Sequence, residues 1–229
     1  MTPFQNPSIY FFNLRIDEPI SSLTDIVLSA VCFYAFYKTK SLANSKAINL
    51  YRWFFLFTGL STIFAAILGH AFLYYFGLKI KMVGWIFGIA GISFAIFAAL
   101  HHARPFIGEI IFKQLRIVNF IELIIAYVCV FTIWSFVMVE IHSAYGLLLY
   151  VTILEYINYK KTKSAMSLYL LYGIGISVLA IFCHIFILAF SVWFNHIDLS
   201  HLLMTISMIT MYKGINLQQV VNNKKKAKN

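Results

Sequence analysis

"VGWIFGIAGISFAIFAAL", Val83 to Leu100, decides the fold, because it holds neither a charge nor a two-residue alternation of apolar and polar side chains. A hydrocarbon core about 30 Å thick takes roughly 20 apolar residues as a helix. In lipid the backbone has to satisfy its own hydrogen bonds, which leaves helices and closed barrels. Unbroken apolarity selects the helix over the barrel strand. Similar runs recur on both sides, and the sequence predicts seven spans, at roughly 20–38, 50–76, 83–102, 117–138, 143–159, 166–193 and 198–215.

Composition agrees with that reading. Of the 229 residues 61% are hydrophobic and 11% are charged, whereas about a quarter of a water-soluble domain is charged. The expectation is an all-α polytopic membrane protein, a single seven-helix domain over 1–229 with a short N-terminal segment, 1–19, and a basic tail, 216–229. Cys32, Cys129 and Cys183 each lie inside an apolar run without close spacing, so they suggest neither a disulfide framework nor a cysteine zinc motif. The N-terminus lacks a basic stretch followed by an apolar one, so no cleavable signal peptide is expected and the first span directs insertion.

Charge sets the orientation. Lys38, Lys40, Lys46, Arg52, Arg104, Lys113, Arg116, Lys160, Lys161, Lys163, Lys213 and the tail lysines all fall on one side of the predicted bundle; only Arg15, Lys79 and Lys81 fall on the other. By the positive-inside rule the N-terminus is outside and the C-terminus inside. The net charge of +10 then reports orientation and attraction to anionic lipids, and nucleic acid is not an expected partner. The Phe-, Ile-, Lys- and Asn-rich composition suits a bacterial inner membrane.

Counting depth from the span ends brings polar residues together on the outer side. Glu18 and Asp25 open span 1, His70 lies about six residues from the end of span 2, Glu140 and His142 sit between spans 4 and 5, and "NHIDLSH", Asn195 to His201, opens span 7. A charge at the centre of a bilayer costs about 2.5–3.5 kcal/mol unless paired, so an ionisable group in a span is a functional candidate. His70, His196 and His201 are candidate metal ligands, with Asp25, Asp198 or Glu140 as candidate proton acceptors. Plainer roles compete: Asp198 is a natural helix cap, and Glu140, His142, His196 and Asp198 are polar residues suited to an aqueous interface. His184 is read as a core histidine, a relay or a ligand. Glu122 is expected to pair with Arg116, Glu155 with Lys160 or Lys161, and His101, His102 and Arg104 to close span 3 among headgroups.

Seven spans, a histidine late in span 2 and histidines opening span 7 resemble the alkaline ceramidase branch of the membrane hydrolase superfamily that includes the adiponectin receptors. The resemblance implies a zinc ion held by histidines of spans 2 and 7, with a water attacking an amide or ester of a lipid. His70 and His201 match two of the ligand positions. The family's span-7 pattern is His-x-x-x-His, and Ile197 stands where the first histidine would fall, one residue after His196. Ala66 replaces a span-2 serine, and span 3 has no acidic residue. A haem protein or a non-catalytic sensory or structural bundle is the alternative. A retinal protein is disfavoured because Lys213 lies at the inner end of span 7 and span 3 carries no carboxylate.

Overall fold

The computed structural model describes residues 7–42 and 45–226, with the side chains of all these except Leu42 and 218–226. The tail lysines expected to mark the inner side therefore lie outside the described side chains. The chain opens with a hairpin, β1 (Ser8–Phe11) paired antiparallel with β2 (Leu14–Asp17), the one departure from an all-α reading among the described residues. There follow α1 (Pro19–Lys38), α2 (Lys46–Phe64), the short α3 (Leu73–Phe76), α4 (Lys81–Ile107), α5 (Glu109–Ile133), α6 (Val137–Ala144), α7 (Thr152–Thr162), α8 (Ala165–Ile185) and α9 (His196–Lys226). A π-helical segment, Ala65–Ala71, prolongs α2, and another, Tyr145–Val151, joins α6 to α7 without a break.

Six of the resulting segments are long and apolar enough to cross a membrane: Pro19–Ser41, Lys46–Ala71, Leu78–Ile107, Glu109–Ile133, Val137–Thr162 and Ala165–Ile185. They correspond to the first six spans read from the sequence. The predicted seventh, 198–215, lies within α9.

Two boundaries differ from the sequence reading. The expected loop 103–116 is helical apart from Gly108, whose φ of 76° makes a one-residue joint between α4 and α5. Glycine alone takes that conformation without a Cβ penalty, and the flanking residues suit a helix. The sixth span ends at Ile185, where Phe186 caps it and Ile187 turns to a φ of 52°.

The helices close into a ring: α1 packs on α2, α2 on α4, α4 on α7, α7 on α8, α8 on α9, and α9 back on α1, while α5 lies outside against α4 and α6. Small residues allow close approach, as expected of bundles that associate without a water-driven hydrophobic effect. At Gly173 and Gly214 an added Cβ would collide with Met211 and Tyr169 across the α8–α9 contact. The Ser29 hydroxyl donates to the Gly59 carbonyl at 2.8 Å between α1 and α2. On α5, Ile110, Ile117, Ile121, Ile124, Ile125 and Val128 all face outward, a surface suited to acyl chains.

α1 and α9 run side by side in the same direction. Ser21 meets Asp198 and Thr24 meets His201 at one end, while Tyr34 packs on Tyr212 near the other. The polar centre described next lies at the end where both helices begin.

Candidate metal centre

Three elements converge at that end. α1 carries Asp25, the π-helical segment after α2 carries His70, and α9 carries His201; one ligand atom from each lies within 4.8 Å of the other two. The π-helical turn widens the helix beside His70, with the Phe72 N–H reaching back to the Ile67 carbonyl at 3.0 Å. Such wide turns recur at functional sites. The Ser22 hydroxyl fastens this turn to α1 by donating to the Ala66 carbonyl at 3.2 Å.

Each imidazole turns one ring nitrogen to a polar partner and the other to Asp25. His70 Nδ1 contacts the Glu18 carboxylate, which only accepts, so Nδ1 bears a proton. The Thr24 hydroxyl donates to the Ser21 carbonyl at 3.0 Å, so its oxygen is left to accept from His201 Nδ1 at 3.1 Å. The two Nε2 atoms point at one carboxylate: His201 Nε2 is 3.4 Å from Asp25 Oδ1 and His70 Nε2 is 3.6 Å from Asp25 Oδ2. The rings stand edge to face with centroids 6.0 Å apart.

Those separations are long for hydrogen bonds, and Asp25 Oδ2 is buried without a hydrogen-bond partner. They suit ligands of a shared ion, since two atoms each about 2.0–2.1 Å from a tetrahedral zinc stand roughly 3.3–3.4 Å apart. Three electron-rich atoms facing one another in a buried site repel unless a cation or a proton lies between them. Two imidazole nitrogens and a carboxylate oxygen are donors for zinc and also for ferrous iron. Glu18 and Thr24 contact the far nitrogen of each ring, where the groups that orient metal-bound histidines stand.

The structure separates the other candidates from this centre. Asp198, fully buried, accepts from the Ser21 hydroxyl at 2.6 Å and from the Asn195 N–H at 2.7 Å, while Asn195 Oδ1 accepts from the Ile197 N–H at 2.8 Å. This reciprocal capping box opens α9 and commits the Asp198 carboxylate to α1 and the helix start. His196 lies against His184, with ring centroids 5.2 Å apart, and Glu140 Oε1 lies 3.7 Å from His184 Nε2. These three make a separate, more exposed group.

Further inside, the expected pairings change partners. Glu122 meets His142 Nδ1 at 2.7 Å, and His142, buried rather than interfacial, directs Nε2 to the Ile89 carbonyl at 3.1 Å. Glu155 is fully buried and accepts from Tyr51 at 2.8 Å, Ser167 at 2.7 Å and His102 at 3.0 Å. Arg104, in the last turn of α4, pairs with Glu109. Counting depth along the helices gave the approximate level of these residues; it gave no rotation about the helix axis, which selects the partner. Thr24 carried no signal as a histidine partner beyond lying one residue before Asp25.

Fold and site define a helical bundle with six segments long and apolar enough for a bilayer and, among its described residues, a buried two-histidine, one-aspartate group able to hold a metal ion. The chain belongs to a family of unknown function (DUF6962), which matches residues 20–219. That stretch includes Asp25, His70 and His201 and leaves out the hairpin. No curated protein and no solved structure matches the chain.

Proposed function

We propose that the protein is a seven-span metalloprotein of the bacterial inner membrane, that Asp25, His70 and His201 hold a zinc ion near its outer face, and that the centre hydrolyses an amide or ester of a membrane lipid. The observation that carries the metal reading is the convergence of two histidine Nε2 atoms on a carboxylate with an orphaned oxygen. α9 as the seventh span is supported by its parallel course beside α1, which an odd span in an up-and-down bundle requires. The outer placement follows from the lysine and arginine distribution.

Three protein ligands with a further position left open is the pattern of catalytic rather than structural zinc. Zinc so held supplies a coordinated water of pKa near 7 and polarises a carbonyl. Glu18 and Thr24 orient the two imidazoles. Asp25 has two oxygens toward the centre, and Oδ2, lacking a donor, is the candidate proton acceptor. His196 and Glu140, on the exposed group with His184, are assigned no step. Lipid is the substrate class because a site within a helix length of the bilayer surface meets acyl-chain carbonyls at its own depth.

Metal content of the detergent-purified native protein beside His70→Ala and His201→Ala tests this. About one zinc per chain in the native protein, lost in both variants, supports the centre, and chelator-sensitive turnover in a panel of lipid amides and esters supports hydrolysis. Iron in place of zinc redirects the chemistry to oxidation, an absorption band of haem favours the alternative class, and no metal in any preparation removes the proposal.

A further inference from the structure

The hairpin before α1 is built in a way that water alone does not explain. Its turn is Phe12–Asn13, with φ of 47° and 63°, the two positive values of a type I′ turn, where Asn-Gly is the preferred pair. A phenylalanine at positive φ is a backbone outlier. Phe12 is 90% exposed, Tyr10 72% and Phe11 61%, with Leu14 about half exposed beside them. The Phe11 and Phe12 rings meet edge to face at 4.6 Å. An isolated two-stranded hairpin is marginal in water, and an apolar tip of this size is ordinarily covered.

The hairpin lies level with the end of the second span. The Tyr74 hydroxyl donates to the Arg15 carbonyl at 3.0 Å, and the Arg15 guanidinium lies over the Tyr74 ring. Tyr75 and Phe76 follow, both exposed. Aromatics gathered at span ends form the interfacial belt of membrane proteins, and the hairpin tip extends that belt. Its unpaired strand edges forbid the hydrocarbon core and suit the hydrated headgroup region.

We propose that the Ser8–Asp17 hairpin is a membrane anchor that seats Tyr10, Phe11, Phe12 and Leu14 in the headgroup boundary of the leaflet beside the Asp25–His70–His201 centre. This rests on the reading of the helices as membrane spans. The anchor joins the centre without a spacer: Asp17 ends β2, and Glu18 follows at a φ of 45° with its carboxylate on His70. The Glu18 N–H is tied to the Pro7 carbonyl at the base of the hairpin, at 2.9 Å. Lipid contact at the tip thereby helps to hold Glu18 in a left-handed conformation that residues other than glycine rarely adopt.

Depth measurement by spin label tests the anchor. Nitroxides are placed at Phe12→Cys and, separately, at Ile124→Cys on the outward face of α5, in a chain whose three native cysteines are changed to alanine and which is reconstituted in vesicles of phosphatidylethanolamine and phosphatidylglycerol. Accessibility to oxygen relative to a water-soluble nickel complex should be several-fold higher at position 12 than for a label free in water, and higher still at 124. A label at 12 open to nickel with 124 deep overturns the anchor, leaves the spans standing and points to a protein partner. Both labels open to nickel overturn the membrane reading as well. The cysteine-bearing chain gives a second measurement: in nanodiscs, trypsin should cut after Arg15 several-fold faster in Phe11→Ser/Phe12→Ser than in the native protein, and equal rates overturn the anchor.

Discussion

Asp25 and Glu155 are both carboxylates with almost no exposure, 1% and 0%, yet their surroundings have opposite chemistry. Glu155 sits at the end of the bundle where α2 begins, wrapped by the Tyr51 and Ser167 hydroxyls and His102 at 2.7–3.0 Å. Asp25 sits at the other end, with one oxygen orphaned and two imidazole nitrogens at 3.4 and 3.6 Å. Along α2 the two levels are marked by Tyr51 and His70, about 28 Å apart at 1.5 Å per residue. A buried carboxylate with every lone pair matched belongs to the scaffold. One that faces ring nitrogens with an oxygen unmatched has a cation or a proton to accommodate, and the bundle holds the helices around it in place by other bonds.

Breaking the two carboxylates should therefore give opposite results. The largest expected loss of stability is at Glu155: Glu155→Ala strands the Tyr51, Ser167 and His102 groups in the core, for about 3–5 kcal/mol, read as a fall in the thermal midpoint of the detergent-solubilised protein. Asp25→Asn keeps the shape of the side chain and takes one ligand oxygen from the centre, so the metal-free protein should keep its stability while metal binding is lost. Asp25→Asn destabilising the metal-free chain as strongly as Glu155→Ala would erase the contrast.

Smaller effects sharpen the picture around the centre. Thr24→Val keeps the shape of the side chain but removes the acceptor that holds His201 Nδ1–H, and Glu18→Gln weakens the partner of His70; each should lower metal affinity about 10–100-fold, measured by competition with a chromogenic chelator. Ser21→Ala leaves Asp198 with one donor fewer at the start of α9, for about 1–3 kcal/mol, and metal content should hold. The smallest effect is expected at the exposed Arg104–Glu109 pair, where Arg104→Gln should change stability by no more than about 1 kcal/mol.

Much of this arrangement was legible in the sequence because depth in a membrane helix follows from position. Counting residues from the span ends placed His70 and His201 at one level, and the structure brings them together with Asp25. Rotation was not legible. A wide π-helical turn at Ala65–Ala71 changes the direction of His70, and no residue pattern announces it. Glu122 and Glu155 were expected to reach outward to arginine or lysine; instead each meets a histidine on a neighbouring helix, since in a bundle without water a nearby ring nitrogen spares a long side chain the loss of its rotamers. The hairpin was not legible because "SIYFFNLRID" lacks the alternation and the Asn-Gly turn that mark one.

The most direct test of the contrast is a zinc titration, by calorimetry, of metal-stripped native protein, Asp25→Asn and Glu155→Gln side by side. One site per chain in the native protein and in folded Glu155→Gln, absent from folded Asp25→Asn, is the predicted result. Equal binding by Asp25→Asn and the native chain, or no binding by the native chain to zinc or to ferrous iron, would contradict the assignment of Asp25, His70 and His201 as a metal centre.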